Sequence, residues 1–267
     1  MKWTPPRLGR RGRLLWRPGA RAAVLAGAVV LWEVGVDLHV IDPFYTSAPS
    51  AIFATVLRWL ASGSILTHAL STLLVTLTGL AAGALLGIGA GTALAALPGV
   101  RAVTLPLLSA ANAAPRLILY PLIALWLGFG VGARIVLVVT LAVFPVILTT
   151  DTAIRTVDRD VVRAARILGA RGWTLVRHVY LPAASVAVLS TCRAYAGLAL
   201  MGAVVGEYLG ATRGVGMVIA FAQSMLNARD VMAGLVVLVA IIRGIDWAAA
   251  ALERRASLWR LVEEVGT

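Results

Sequence analysis

Lysine is almost missing from this chain: Lys2 is the only one in 267 residues. A phosphate-binding loop of the Gly-x-x-x-x-Gly-Lys-Ser/Thr type needs a lysine to reach nucleotide phosphates. Lys2 has no glycine frame before it, so that loop is excluded. Cysteine is also scarce. Cys192 is the sole one, which rules out an intramolecular disulfide, and its apolar setting reads as a small packing residue. The three histidines, His39, His68 and His178, are far apart. With one cysteine they compose no metal-ligand set. No serine or cysteine has a base in a local pattern, so no catalytic residue and no metal site is assigned. Charge is the broadest shortage. Only 13% of residues are charged, against roughly a quarter in soluble domains, while 60% are hydrophobic. A soluble fold of this length could not hide that much apolar surface, so the chain needs an apolar solvent.

The apolar residues are arranged to meet that need. Residues 69–100 contain no charge, and a bilayer span takes roughly 20 residues. Six spans are expected, at about 22–38, 70–97, 103–128, 132–151, 184–206 and 231–252. Helices satisfy their own backbone in lipid, and the alternation of a membrane barrel is absent. The expected class is all-α: a polytopic membrane protein with about six transmembrane helices. The net charge of +12 is nearly all arginine, and the arginines flank apolar runs. They are not interleaved with aromatics as a nucleic-acid groove requires, so no nucleic-acid partner is expected. With the N-terminus inside, seventeen arginines and lysines fall on inner segments and four on outer ones. The positive-inside rule then puts both termini in the cytoplasm. The cluster from Lys2 to Arg21 before the first apolar run could also open a signal peptide. No small-x-small cleavage site follows it, which favours an uncleaved anchor.

Several residues stand out within the spans. Gly79, Gly83, Gly87 and Gly91 share one helical face, where small residues let another helix approach closely. That helix could belong to the same subunit or to a dimer partner. The third span carries Pro106, Pro115 and Pro121, each of which tends to kink a helix. Asn112 and Arg116 add polarity that lipid would not tolerate. Asn112, Pro115 and Arg116 are therefore candidates for lining a pathway; alternatively, Arg116 reaches an interface or pairs with a distant acid. Glu207 ends the fifth span, where an interfacial position would make its charge cheap. Asp246 is three residues after Arg243 and is expected to pair with it.

The longest inner connection, about 152–182, has the periodicity of a docked segment. Val157, Val161, Ala164, Ala165 and Leu168 recur at helical spacing, with Arg159, Arg163 and Arg166 on another face. Asp158 or Asp160 suits the helix start, and Gly169 suits its end. Gly172 opens a second helix, 173–181, closed by Pro182. A cytoplasmic helix-turn-helix results.

That stretch, Arg163-Ala164-Ala165-Arg166-Ile167-Leu168-Gly169-Ala170 with Leu181 and Pro182 at its close, resembles the EAA loop of binding-protein-dependent ABC transporter permeases. Arg163 stands where that family carries glutamate. Four further stretches resemble the branch serving nitrate, sulfonate, taurine and pyrimidine-type ligands. They are Ser47 to Ser50, Pro115 with Pro121 through Gly130, Phe144 with Pro145, and Glu207 through Gly216.

The resemblance implies a permease subunit of an ABC importer in the bacterial cytoplasmic (inner) membrane, moving a small solute. Its partners would be two ATP-binding subunits, a second permease copy forming a homodimer, and an extracytoplasmic solute-binding protein. Arg163, Ala164, Ala165, Gly169, Ala170, Leu181 and Pro182 would belong to the ATPase-coupling loop. This chain would hold no cofactor of its own, with ATP and magnesium in the partner ATPase. Arg116 and the positive net charge would suit an anionic solute. The chain then divides into a basic cytoplasmic segment 1–21, a permease domain 22–253 and a tail 254–267. The alternative is an ion-gradient-driven secondary transporter, which predicts coupled mid-membrane acids and an internal repeat; neither is evident.

Overall fold

The computed structural model describes residues 18–42 and 44–265. The basic cluster from Lys2 to Arg17 therefore lies outside the described residues. Among the described residues every regular element is a helix. They are α1 Pro18–Asp37, α2 Pro49–Ala61, α3 Ser64–Ala96, α4 Pro98–Ala113, α5 Tyr120–Leu127 and α6 Val131–Arg155. Then come α7 Arg159–Ile167, α8 Trp173–Tyr208, α9 Val215–Ser224 and α10 Ala228–Val265.

By length and composition, α3, α6, α8 and α10 can each cross a bilayer. The segment expected as a straight third span is instead two helices, Pro98–Ala113 and Arg116–Leu127, bent by 84°. Proline chemistry explains where it breaks. Pro115 pushes the residue before it out of the helical region, and Ala114 is extended at φ −66°, ψ 144°. Pro121 sits in the first turn of α5, where a missing N–H costs nothing. Pro106 is held inside α4 without ending it. The expectation of three kinks thus reduces to one.

The bundle is organised on α3 and α6. A Cβ added at Gly79, Gly83, Gly87 or Gly91 would come within 2.5–2.7 Å of Val138, Ala142, Val146 and Thr150 respectively. The four glycines therefore seat four side chains of the same chain, and the seam is internal. Both series rise together in steps of four, so α3 and α6 run parallel.

Parallel neighbours constrain what joins them. The chain leaves α3 at one end of the bundle and must enter α6 at the other. The bent pair makes that return journey, so it is a broken span and not a loop that re-emerges on its own side. Five crossings follow, with α1 standing beside them. α8 runs antiparallel to α6: Thr191 meets Thr149 at 3.0 Å near one end, and Glu207 meets Arg134 near the other. α10 is antiparallel to α8, with Asp246 and Glu253 on Arg193. The ends of α3, α6 and α10 consequently share one side with the α7 elbow.

The opposite side is closed by the short apolar helices α2 and α9, which hydropathy alone did not separate from loops. Ile52, Val56, Ile65, Val215, Ile219 and Val237 form a core there, with Trp32 of α1 packed on it. Glu33 of α1 holds the first turn of α2, accepting from Ser50 N at 2.9 Å and Ser50 Oγ at 2.5 Å.

The seam makes a direct prediction. Gly83→Val should cost about 1–3 kcal/mol through overpacking against α6, lowering the unfolding temperature in detergent. Gly89, which has nothing within 4 Å, should accept Ala with an unchanged or slightly higher unfolding temperature.

Candidate functional site

Three features stand out on the bundle: an exposed elbow, a clamped break and a buried ion pair at the far end.

The elbow is α7, a turn and the start of α8. Asp158 caps α7 by accepting from Asp160 N at 2.8 Å. Gly169 ends it at φ +91°. Gly169 N donates to Arg166 O at 3.0 Å, and Ala170 N donates to Ala165 O at 2.9 Å. These two bonds are the paired termination of a helix on a left-handed residue. Open space surrounds Gly169, so glycine is required there by backbone conformation and not by crowding. Ile167 and Leu168, 80% and 87% exposed, stand at the tip with Trp173. Ala164 is exposed and Ala165 half-buried. Arg163 pairs with Asp160 at 2.9 Å on the surface. Beyond Gly172, Leu175 is buried and anchors the return.

The closing residues behave differently from expectation. α6 continues to Arg155, so the connection is shorter than 152–182. Pro182 does not end a separate helix. The turn Val176–Tyr180 is widened to π geometry, with Leu181 N bonded to Val176 O. Pro182 then falls in the first turn of the α-helical stretch Leu181–Tyr208, where its ring is tolerated. The elbow's second helix and the fifth expected span are one continuous rod.

The break between α4 and α5 is clamped by Arg116. This residue is only 6% exposed. It is buried within the bundle and forms no ion pair among the described residues. Its Nη1 donates to the carbonyls of Thr140 and Leu141, and Nη2 to Asn112 O at 3.0 Å and Asn112 Oδ1 at 3.1 Å. Its guanidinium lies 5.3 Å from the Phe144 ring centroid. The reason lies in α6. Pro145 has no N–H, which orphans the carbonyl four residues earlier, Leu141. Arg116 supplies the missing donor. Pro115 is exposed beside it and Asn112 is half-buried. α4 is pinned near its start as well: Arg101 Nε donates to both Asp151 oxygens at 2.9 Å.

At the opposite end Glu207 is 1% exposed, not interfacial. Oε2 accepts from Thr72 Oγ1 at 2.8 Å and Gly216 N at 3.0 Å, and Oε1 lies 3.5 Å from Arg134 Nη1. Arg134 also donates to Arg213 O at 3.1 Å, and Val215 N donates to Thr72 Oγ1 at 2.9 Å. A Cβ at Gly214 would collide with the Glu207 carboxylate, and one at Gly216 with Val204 O at 2.5 Å. The stretch from Glu207 to Gly216 is thus a loop folded around its own carboxylate and locked to α3 and α6. Losing one partner of such a pair costs about 3–5 kcal/mol. Asp246 also departs from expectation. Its main partner is Arg193 at 2.8 Å, with Arg243 at 3.9 Å. A carboxylate between two helices reaches the nearer guanidinium.

No three His, Cys, Asp or Glu side chains come together as a metal site among the described residues.

Comparison with known proteins places this architecture. The family model described as "Binding-protein-dependent transport system inner membrane component" matches residues 83–258. The riboflavin transport system permease protein RibX of Chloroflexus aurantiacus is 32% identical over 95% of both chains. The putative aliphatic sulfonates transport permease protein SsuC of Bacillus subtilis is 31% identical, covering 94% of this chain and 90% of that one. The taurine transport system permease protein TauC of Escherichia coli is 28% identical over 92% and 94%. In fold, a chain of the inward-facing MetNI methionine ABC transporter superposes with a TM-score of 0.64 at 20% identity, covering 75% of this chain and 97% of that one. The chain belongs to the binding-protein-dependent inner membrane component family, in the sulfonate and taurine branch, and is an importer permease subunit.

The Arg116 clamp is testable by a double-mutant cycle on unfolding in detergent. Arg116→Leu alone should cost about 1.5–3 kcal/mol. In a Pro145→Ala background, where residue 145 regains its N–H, the same change should cost less. A coupling of roughly 0.5–3 kcal/mol is expected; additive costs would remove the link between the two residues.

Proposed function

We propose that this permease is powered through its elbow by a separate ATP-hydrolysing subunit and has no ATPase site of its own. The observation that carries this reading is the elbow geometry. A short capped helix ends on a left-handed glycine and holds Ile167, Leu168 and Trp173 in the open. Apolar side chains that exposed, at the tip of a rigid turn, suit a groove on another protein. Arg163, Ala164, Ala165, Gly169 and Ala170 form the docking helix and its stop, and Leu181 and Pro182 join it to α8. Because the elbow is continuous with α8 and joined to the end of α6 by a three-residue link, a displacement at its tip is transmitted along the chain to both spans.

ATP and magnesium belong to that partner. With Lys2 the only lysine, this chain lacks the usual phosphate-binding loop. Two ATP-binding subunits, a second copy of this chain and an extracytoplasmic solute-binding protein complete the assembly. The family description, binding-protein-dependent transport, supports the last of these. The elbow side faces the cytoplasm with both termini, α1 serving as a sixth crossing that brings the N-terminus to that side. Arginine asymmetry supports this, as does the shared side of the elbow and the end of α10. Residues 22–253 are the permease domain, flanked by the segments 1–21 and 254–267.

The solute is a small anion, and the broken span lines its route at Asn112, Pro115 and Arg116. Arg116 is a buried guanidinium held on carbonyls, and no carboxylate contacts it among the described residues. Its charge is therefore left to stabilise an anion nearby. The aliphatic sulfonates and taurine in the relatives' names are compatible with this chemistry.

Gly169→Val tests the coupling. A β-branched residue in left-handed conformation is strained by about 1–2 kcal/mol, and nothing lies within 4 Å of the Cβ it would add. In proteoliposomes with the ATPase and binding protein, solute uptake should fall several-fold while basal ATP hydrolysis persists. Undiminished uptake per ATP would count against docking at the elbow. Full solute transport by this chain alone under an ion gradient would replace the reading with secondary transport.

A further inference from the structure

Beneath the elbow is a cavity of about 530 Å³, a size that holds a small ligand or a headgroup. Arg155, Arg159, Arg163 and Arg166 line it, with Thr92 and Tyr180. No carboxylate lines it. Arg163 is partly answered by Asp160. Arg155, Arg159 and Arg166 have no ion-pair partner among the described residues. Four guanidiniums converging on one cleft repel one another unless an anion sits between them. We propose that this cavity binds a phosphate group, with an anionic phospholipid headgroup as its source.

Position argues for lipid. The cavity opens where α3 and α6 end, its floor being Ala95, Ala96 and Ile154. Those residues mark the edge of the apolar bundle, which is headgroup depth on whichever face the elbow lies. Guanidinium forks match phosphate oxygens two at a time, and Tyr180 suits the boundary between headgroup and hydrocarbon. The site is distinct from the exposed tip of the elbow. Arg159 and Arg163 reach it from one face of α7, while Ile167 and Leu168 project at the turn. Arg163, standing where the resembling family has glutamate, adds one of the four charges. A lipid seated there would brace the elbow against the membrane surface.

The test uses the full-length chain, purified and equilibrated with mixed phosphatidylcholine and phosphatidylglycerol, with retained lipid counted by native mass spectrometry. Phosphatidylglycerol should be retained selectively. The Arg159→Gln/Arg163→Gln/Arg166→Gln variant should lose that retention by about tenfold or more. Arg171→Gln/Arg177→Gln, which leaves the cavity lining intact, should not. Should the triple Gln variant fail to fold, Arg159→Lys/Arg163→Lys/Arg166→Lys keeps the charge and should retain an intermediate amount. In a second arm inorganic phosphate is added. Displacement of lipid, or a rise in unfolding temperature seen in wild type and absent in the triple variant, would identify free phosphate as the source of the same chemistry. The proposal is overturned if the triple Gln variant retains as much phosphatidylglycerol as wild type and responds equally to phosphate. It is also overturned if that variant keeps its lipid and loses only an ATPase subunit, since the arginines would then serve an acidic protein surface.

Discussion

Everything in this bundle hangs on the contact between α3 and α6. Four glycines at intervals of four seat Val138, Ala142, Val146 and Thr150 directly on the α3 backbone. In lipid no hydrophobic force draws two apolar helices together, so close packing must do it. Because the two series rise together, the helices are parallel, and the chain between them must return across the bundle. That single constraint makes the bent α4–α5 pair a crossing. It also places the elbow after α6 on the side where α3 and α10 end.

A crossing broken at Pro115 exposes backbone and charge where neither is cheap, and the structure answers each locally. Arg116 fills the gap that Pro145 leaves in α6. Arg101 and Asp151 pin the entry to the same segment. On the far side Arg134 and Glu207 lock the loop before α9, and Arg193 joins α8 to α10 through Asp246 and Glu253. The two prolines are complementary: one opens the crossing helix, and the other opens its neighbour to receive the guanidinium. The crossing is thus pinned both near its entry, by Arg101, and at its bend, by Arg116.

Much of this was readable from the residues, and the failures share one cause. The glycine face is visible because its period is local, whereas the partner row from Val138 to Thr150 is invisible in a helix that is apolar all round. Gly169 reads correctly as a stop because helix termination is decided within a few residues. Pro182 misleads because a π turn just before it lets the helix pass. Glu207 reads as interfacial because Thr72, Arg134 and Gly216, which remove it from water, are separate along the chain. Arg116 reads as polar and out of place. Its acceptor at Leu141 becomes apparent only once Pro145 is known to face it. Local chemistry was legible, and pairings between helices were not.

In this arrangement the elbow and the Glu207 end lie on opposite membrane faces, joined by a broken span that crosses. Single-cysteine labelling tests it most directly, in a Cys192→Ala background on intact spheroplasts with a membrane-impermeant maleimide. Phe129→Cys, after the broken span, and Met225→Cys, after α9, should label from outside. Leu168→Cys, at the elbow, should label only after permeabilisation. Phe129→Cys behaving like Leu168→Cys would make the bent pair re-entrant and contradict the parallel seam.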